Sequence, residues 1–172
     1  MRDYKDLYKE AKGQQTRIYC DMDGVLADFM VAAKKATGMT FTQSDSDKHW
    51  AVIRKTQNFW SDMPWMPGGR QLWSYIKKYD THILSAYSGK DPSCKGGKMK
   101  WLGKNTRVPR SKIHLVRRED KKAFAKNKDG KPNVLIDDYI KNIQEWEIAG
   151  GIGIRHTSIS KTLAELKKLG FK

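Results

Sequence analysis

The feature that most constrains this chain is an alternation. From residue 70 onward, short apolar segments of strand character take turns with segments of helical periodicity. RIYCDMD (17–23), THILSAYS (81–88), KIHLVRRE (112–119), NVLIDD (133–138) and GIGIRHT (151–157) read as strands. Residues 70–79, 94–105, 139–150 and 158–170 read as helices, the first carrying Leu72, Trp73 and Ile76 on one face. Such an alternation calls for right-handed crossovers and a mostly parallel sheet covered by helices on both faces. The fold class expected is α/β, a three-layer sandwich.

One segment breaks the pattern. Residues 29–66 hold a helix over 29–38, with Gly38 at its C-terminus, and a second helical stretch around 49–56. They close on the Pro/Gly break MPWMPGG (63–69). The domain reading is a catalytic core of residues 1–28 and 67–172, with 29–66 a small helical cap inserted after the first strand. Residues 3–15 read as a short polar helix ahead of the sheet.

In a sheet of this kind ligands bind beyond the carboxyl ends of the strands. The first strand ends on Asp21-Met22-Asp23-Gly24, the second on Ser85-Ala86-Tyr87-Ser88, the fourth on Asp137-Asp138. One pair of acids at a strand end is ordinarily a turn or a helix cap. Two pairs and a serine at one edge are a site. Four carboxylates in a cleft repel one another unless a cation shares it, and an all-oxygen donor set suits Mg²⁺.

Net charge supplies a second clue. The chain carries +15, and between Ala86 and Lys131 fifteen Lys and Arg stand against four acids, leaving +11 in that stretch. A field of this sign attracts nucleotides, nucleic acid or other phosphates.

Several classes drop out. No apolar run approaches the ~20 residues that span a bilayer, so no membrane partner is expected. The opening residues MRDYKDLYKEAKGQQTR lack an apolar signal core, and Cys20 and Cys94 form neither a disulfide framework nor a metal pattern. A cytoplasmic, reducing setting is expected. There is no Walker A loop, dinucleotide fingerprint, HExxH or GxSxG elbow.

The stretch Asp21-Met22-Asp23-Gly24-Val25, the strand ending at Ser85, a downstream lysine and LIDD (135–138) resemble the four motifs of the haloacid dehalogenase (HAD) superfamily. DMDGVLADF, NFWSDMPWMPGG, GGKMKWL and VRREDK are similar to segments of its 5′(3′)-deoxyribonucleotidases. The resemblance runs from Arg17 to about Tyr139 and implies a HAD-like Rossmannoid core. By it, Asp21 is the nucleophile that forms an aspartyl-phosphate, and Asp23 is the general acid and base. Asp21, the Asp23 carbonyl and Asp138 would hold Mg²⁺, with Asp137 acting through a bound water. Ser85 and the N–H groups of Met22 and Ala86 would bind phosphoryl oxygens. Lys98 is chosen as the charge-neutralising lysine over Lys95, Lys100 and Lys121, with Arg118 and Lys121 as further phosphate contacts. Phe29 leads the candidates for nucleobase contact, followed by Trp50, Phe59, Trp60 and Trp65.

The function expected is a Mg²⁺-dependent phosphomonoesterase acting on (deoxy)nucleoside monophosphates. The alternatives are a phosphatase of nucleic-acid ends reached through the basic 86–131 segment, or a nucleic-acid-binding module with a vestigial phosphatase site. The sequence leaves the oligomeric state open.

Overall fold

The computed structural model describes residues 16–40 and 46–172. The helix expected over 3–15 therefore lies outside the described residues. Five strands form one sheet: β1 (Ile18–Cys20), β2 (Thr81–Ala86), β3 (Ile113–Val116), β4 (Val134–Asp137) and β5 (Ile152–Arg155). Their order is β3-β2-β1-β4-β5, and every neighbouring pair is parallel. The helices are α1 (Phe29–Thr37), α2 (Ser46–Lys55), α3 (Gly69–Ile76), α4 (Cys94–Asn105), α5 (Ile140–Ile148) and α6 (Ile159–Lys168).

Successive strand residues face opposite sides of the sheet, and the core divides accordingly. Tyr19, Leu84 and Leu135 pack with Ile143 and Trp146 of α5. Their neighbours Ile18, Cys20, Ile83, Val134 and Ile136 pack on the other face with Leu72 and Ile76 of α3, Leu102 of α4 and Leu166 of α6. Both faces are covered, which is why these strands read as apolar runs rather than alternating ones.

The expected elements are present with shorter ends. β1 stops at Cys20, although the Asp21 N–H still bonds the Ile136 carbonyl at 2.9 Å. The chain then turns, because the N–H groups of Leu26 and Ala27 both bond the Met22 carbonyl at 2.8 Å and Gly24 takes φ +75°. That left-handed conformation is the one glycine adopts without steric cost. β3 ends at Val116; of Arg117, Arg118 and Glu119, expected to extend it, the last two open a 3₁₀ helix instead, Arg118–Phe124. A strand through REDKK would have driven charges into the core on both faces. The 3₁₀ turn exposes most of them and carries Lys121 inward.

The excursion between β1 and α3 leaves and returns through adjacent residues. The Asp28 N–H bonds the Pro64 carbonyl at 2.8 Å, the Met66 N–H bonds the Leu26 carbonyl at 2.8 Å, and Ala27 bridges Trp65. Asp28 also caps α1, its carboxylate accepting from the Val31 N–H at 2.9 Å, and Gly38 ends that helix at φ +74°. Among the described residues no helix is long and apolar enough to cross a membrane.

Candidate active site

The acids expected at the strand ends converge. Oxygens of Asp21, Asp137 and Asp138 lie within 4.8 Å of one another. Asp21 and Asp137 are buried at the ends of β1 and β4, and the Asp138 carboxylate sits over Gly24. A Cβ on Gly24 would stand 2.6 Å from Asp138 Cγ, so this glycine gives the acid its room as well as making the turn.

Two buried lysines from different elements hold the carboxylates. Lys121 of the 3₁₀ turn places Nζ 2.7 Å from Asp137 Oδ2 and 3.1 Å from Asp21 Oδ1. Lys98 of α4 donates to Asp23 Oδ2 at 2.6 Å, to Ser85 Oγ at 3.0 Å and to the Ala86 carbonyl at 2.6 Å. The lysine on the Asp21 carboxylate is therefore Lys121, whereas Lys98 holds Asp23 beside Ser85. The resemblance favoured Lys98 through its spacing to Trp101 and kept Lys121 as a further phosphate contact. The 3₁₀ turn that brings Lys121 inward begins where the expected strand was to end.

Burial, and after it repulsion among the acids, sets their protonation. Burial, then the charge of Asp21, raises Asp137 to about 6. Asp138 is raised to about 7 by burial of its carboxyl and then by Asp21 and Asp137, although the residue as a whole is exposed. Burial also raises Asp23, against the pull of Lys98. Burial alone would lower Lys121, but Asp21 and Asp137 outweigh it and keep the ammonium charged.

Other expected residues are placed differently. The Met22 N–H bonds Asp21 Oδ1 at 2.8 Å, holding that carboxylate in place. Arg118 is not brought to the cluster: its guanidinium pairs with Glu145 at 2.9 and 3.2 Å and bonds Asn142 Oδ1 at 3.1 Å. Asn142 in turn donates to Asp137 at 2.9 Å, and the Tyr139 N–H adds a bond to Asp137 at 2.9 Å. Arg118 thus orients an amide that positions Asp137. Asn142 was not singled out from sequence; its place in the first turn of the helix after LIDD is the signal that would have found it.

The aromatic candidates cluster with one another. Phe29 stacks on Trp60 at 5.7 Å between centroids, Trp50 stacks on Trp60 at 6.2 Å, and Phe59 meets both Phe29 and Trp60 edge-on. Phe59 and Trp60 are buried, and Trp60 donates from Nε1 to Asp91 at 2.8 Å. Phe29 and Trp50 are half-buried. Lys98 Nζ lies 5.4 Å from the Trp60 ring, which sets this cluster against the carboxylates' own lysine. Trp65 packs on Trp101 at 4.8 Å and bonds Asn105, away from the other four.

No protein-family model matches the chain, and no curated protein matches it. Solved structures do. A hydrolase from Streptococcus pneumoniae TIGR4 superposes with a TM-score of 0.56 at 14% identity, over 90% of this chain and 100% of that one. A HAD family hydrolase from Deinococcus radiodurans R1, with bound phosphate and sodium, gives 0.52 at 16% identity over 91% and 88%. L-2-haloacid dehalogenase from Xanthobacter autotrophicus gives 0.52 at 12% identity over 90% and 83%. At these identities the likeness is one of fold, and the fold is that of the HAD-type hydrolases.

Proposed function

We propose that this chain is a Mg²⁺-dependent phosphomonoesterase that hydrolyses (deoxy)nucleoside monophosphates through an aspartyl-phosphate. The observation that carries the reading is the meeting of Asp21, Asp137 and Asp138 within 4.8 Å, at the edge where Ser85 and two buried lysines stand.

The donor set fits the ion. Three carboxylates, of which burial and then mutual repulsion raise Asp137 and Asp138, form an all-oxygen group of the kind a hard divalent cation occupies. Asp21, Asp138 and the Asp23 carbonyl would hold it, with Asp137 braced by Asn142 behind them. When bound, the cation screens the repulsion between a carboxylate nucleophile and a phosphate dianion.

The chain's own groups do the rest. An Asp21 oxygen attacks phosphorus, and the ester P–O bond breaks as Asp23 delivers its proton to the leaving oxygen. Water then attacks the aspartyl-phosphate, Asp23 takes the proton back, and inorganic phosphate leaves. Ser85 and Lys98 suit hydrogen bonding to the phosphoryl oxygens, and Lys121 keeps the Asp21 carboxylate oriented. The excursion between Asp28 and Pro64 acts as the cap, with half-buried Phe29 and Trp50 as its contacts to the base. A cytoplasmic, reducing setting suits two buried free cysteines, Cys20 and Cys94.

The test is release of inorganic phosphate from nucleoside 5′- and 3′-monophosphates, with Mg²⁺ and in chelator, for wild type and Asp21→Asn. Turnover that needs Mg²⁺ and disappears in a folded Asp21→Asn variant supports the reading. Turnover that survives either change overturns it.

A further inference from the structure

The same edge carries cations that this chemistry leaves unused. Tyr87 follows Ser85-Ala86 directly, and its N–H bonds the Val116 carbonyl at 3.0 Å, which fixes it at the ends of β2 and β3. Lys95 places Nζ 3.8 Å from the centroid of the Tyr87 ring, over a face whose quadrupole attracts cations. Arg117, in the turn after β3, lies against the same tyrosine side chain, which favours its charged form. Both cations are exposed, and among the described residues Lys95 has no ion pair. Glu119 and Asp120 act on Arg117 from the 3₁₀ turn. One turn along α4 from Lys95, Lys98 bonds Asp23, Ser85 and Ala86. A single ring therefore fixes two solvent-facing cations from two elements immediately outside the inner group.

We infer that Tyr87, Lys95 and Arg117 form a second anion site that takes another phosphate of the substrate. The preferred substrate then carries a terminal phosphomonoester and a second phosphate one nucleotide unit away. The inference rests on the phosphomonoesterase reading above. A planar guanidinium beside a compact ammonium matches the several oxygens of a phosphate. Contacts of this kind position a nucleic-acid strand without reading its bases. The +11 of residues 86–131 supplies long-range attraction for the same ligand. Two sources offer this chemistry, a nucleoside 3′,5′-bisphosphate and a phosphorylated oligonucleotide end.

The experiment compares kcat/KM for a mononucleotide, the matching 3′,5′-bisphosphate, a terminally phosphorylated pentanucleotide and an acidic phosphopeptide. Wild type should favour the pentanucleotide, the bisphosphate or both over the mononucleotide by roughly tenfold, through KM. A gain with the bisphosphate assigns the second phosphate to the same nucleotide, and a gain with the pentanucleotide alone assigns it to the strand. Lys95→Gln with Arg117→Gln should abolish the gain, leave mononucleotide turnover unchanged and lower the salt slope for the pentanucleotide by about 0.7, the value for one phosphate of a single strand. Lys95→Arg with Arg117→Lys should keep it. No gain in wild type, a gain that survives the glutamine pair, or an equal gain with the phosphopeptide overturns the inference. If no phosphomonoester is turned over at all, the enzymatic reading fails. Binding of the pentanucleotide in chelator then decides the second site: weaker binding by the glutamine pair supports it, and equal binding overturns it.

Discussion

Lys98 Nζ lies 2.6 Å from Asp23 Oδ2, while Asp23 Oδ1 is buried without a hydrogen-bond partner. One oxygen of this carboxyl is held and the other is left for a proton. Asp23→Asn keeps the acceptor for Lys98 but cannot exchange a proton. It should lower kcat by about 10²–10⁴-fold with little change in thermal stability. Steady-state kinetics alongside a melting curve checks both halves.

Lys121 is the countercharge shared by Asp21 and Asp137. Removing one partner of a buried ion pair costs about 3–5 kcal/mol, because the remaining charges are left uncompensated. Lys121→Met should show that loss in urea denaturation without divalent ions. Added Mg²⁺ should recover more stability in the variant than in wild type, since the ion takes over the neutralisation.

Gly24 combines φ +75° with contact against Asp138. Gly24→Ala incurs about 1–2 kcal/mol for the left-handed backbone and displaces the carboxylate as well. The expected outcome is a modest fall in melting temperature and a large fall in activity, with a weaker response to Mg²⁺. A variant as active as wild type would show that Asp138 tolerates the shift.

Adjacent glycines of α4 should respond in opposite ways. A Cβ at Gly96 meets nothing within 4 Å, whereas one at Gly97 would collide with Cβ of Trp60. Gly96→Ala should stabilise by about 0.5–1 kcal/mol through helix propensity. Gly97→Ala should destabilise and alter tryptophan fluorescence, because Trp60 stacks with Phe29 and Trp50.

Opposite the carboxylates, at the start of β2, His82 Nε2 lies 3.3 Å from Asp80 while Nδ1 lies 2.9 Å from Nε2 of His114. Burial lowers His82 to about 4, and burial lowers His114 as well. The unfolded chain takes up these protons at higher pH than the native one. The contribution of this pair is therefore full above about 6.5 and lost as pH falls from there towards 4. Asp80, on which burial acts upward but the bonds from Lys112 and Arg17 act downward more strongly, sits at about 2. Its contribution is present above about 3.9 and is lost as pH falls to about 2. Asp137 and Asp138, raised to about 6 and about 7, act in the opposite sense over the first window. The check is therefore a difference: as pH falls from 8 to 3, the denaturation midpoint of wild type should fall relative to that of His82→Asn within that window.

The sheet was legible because its signal is local. Each strand is an apolar run and each crossover helix a periodic one, so β2, α4 and α6 could be read within a few residues of their observed ends. The convergence of Asp21, Ser85 and Asp137-Asp138 followed from parallel topology alone. What escaped depended on contacts between distant residues. Lys121 reaches Asp137 across a 3₁₀ turn whose charged sequence has no apolar period. The resemblance implied Arg118 as a phosphate contact, but Glu145, one turn beyond Asn142 on α5, claims it. The aromatic residues were visible one by one. Their mutual stacking was not, since it joins α1, α2 and the loop that follows.

The closure at Ala27, Asp28, Pro64 and Trp65 ties the two ends of the inserted segment to each other, while Ala33, Ile53, Phe59, Trp60 and Met63 pack it into the core of the sheet. With the ends tied and those side chains kept, a change in the length of an exposed turn costs little, each doubling of a flexible loop adding only ~0.6 kcal/mol. On the proposed function, a segment that keeps these core contacts but differs on its exposed face should change the preference for the leaving group and leave the carboxylate cluster intact.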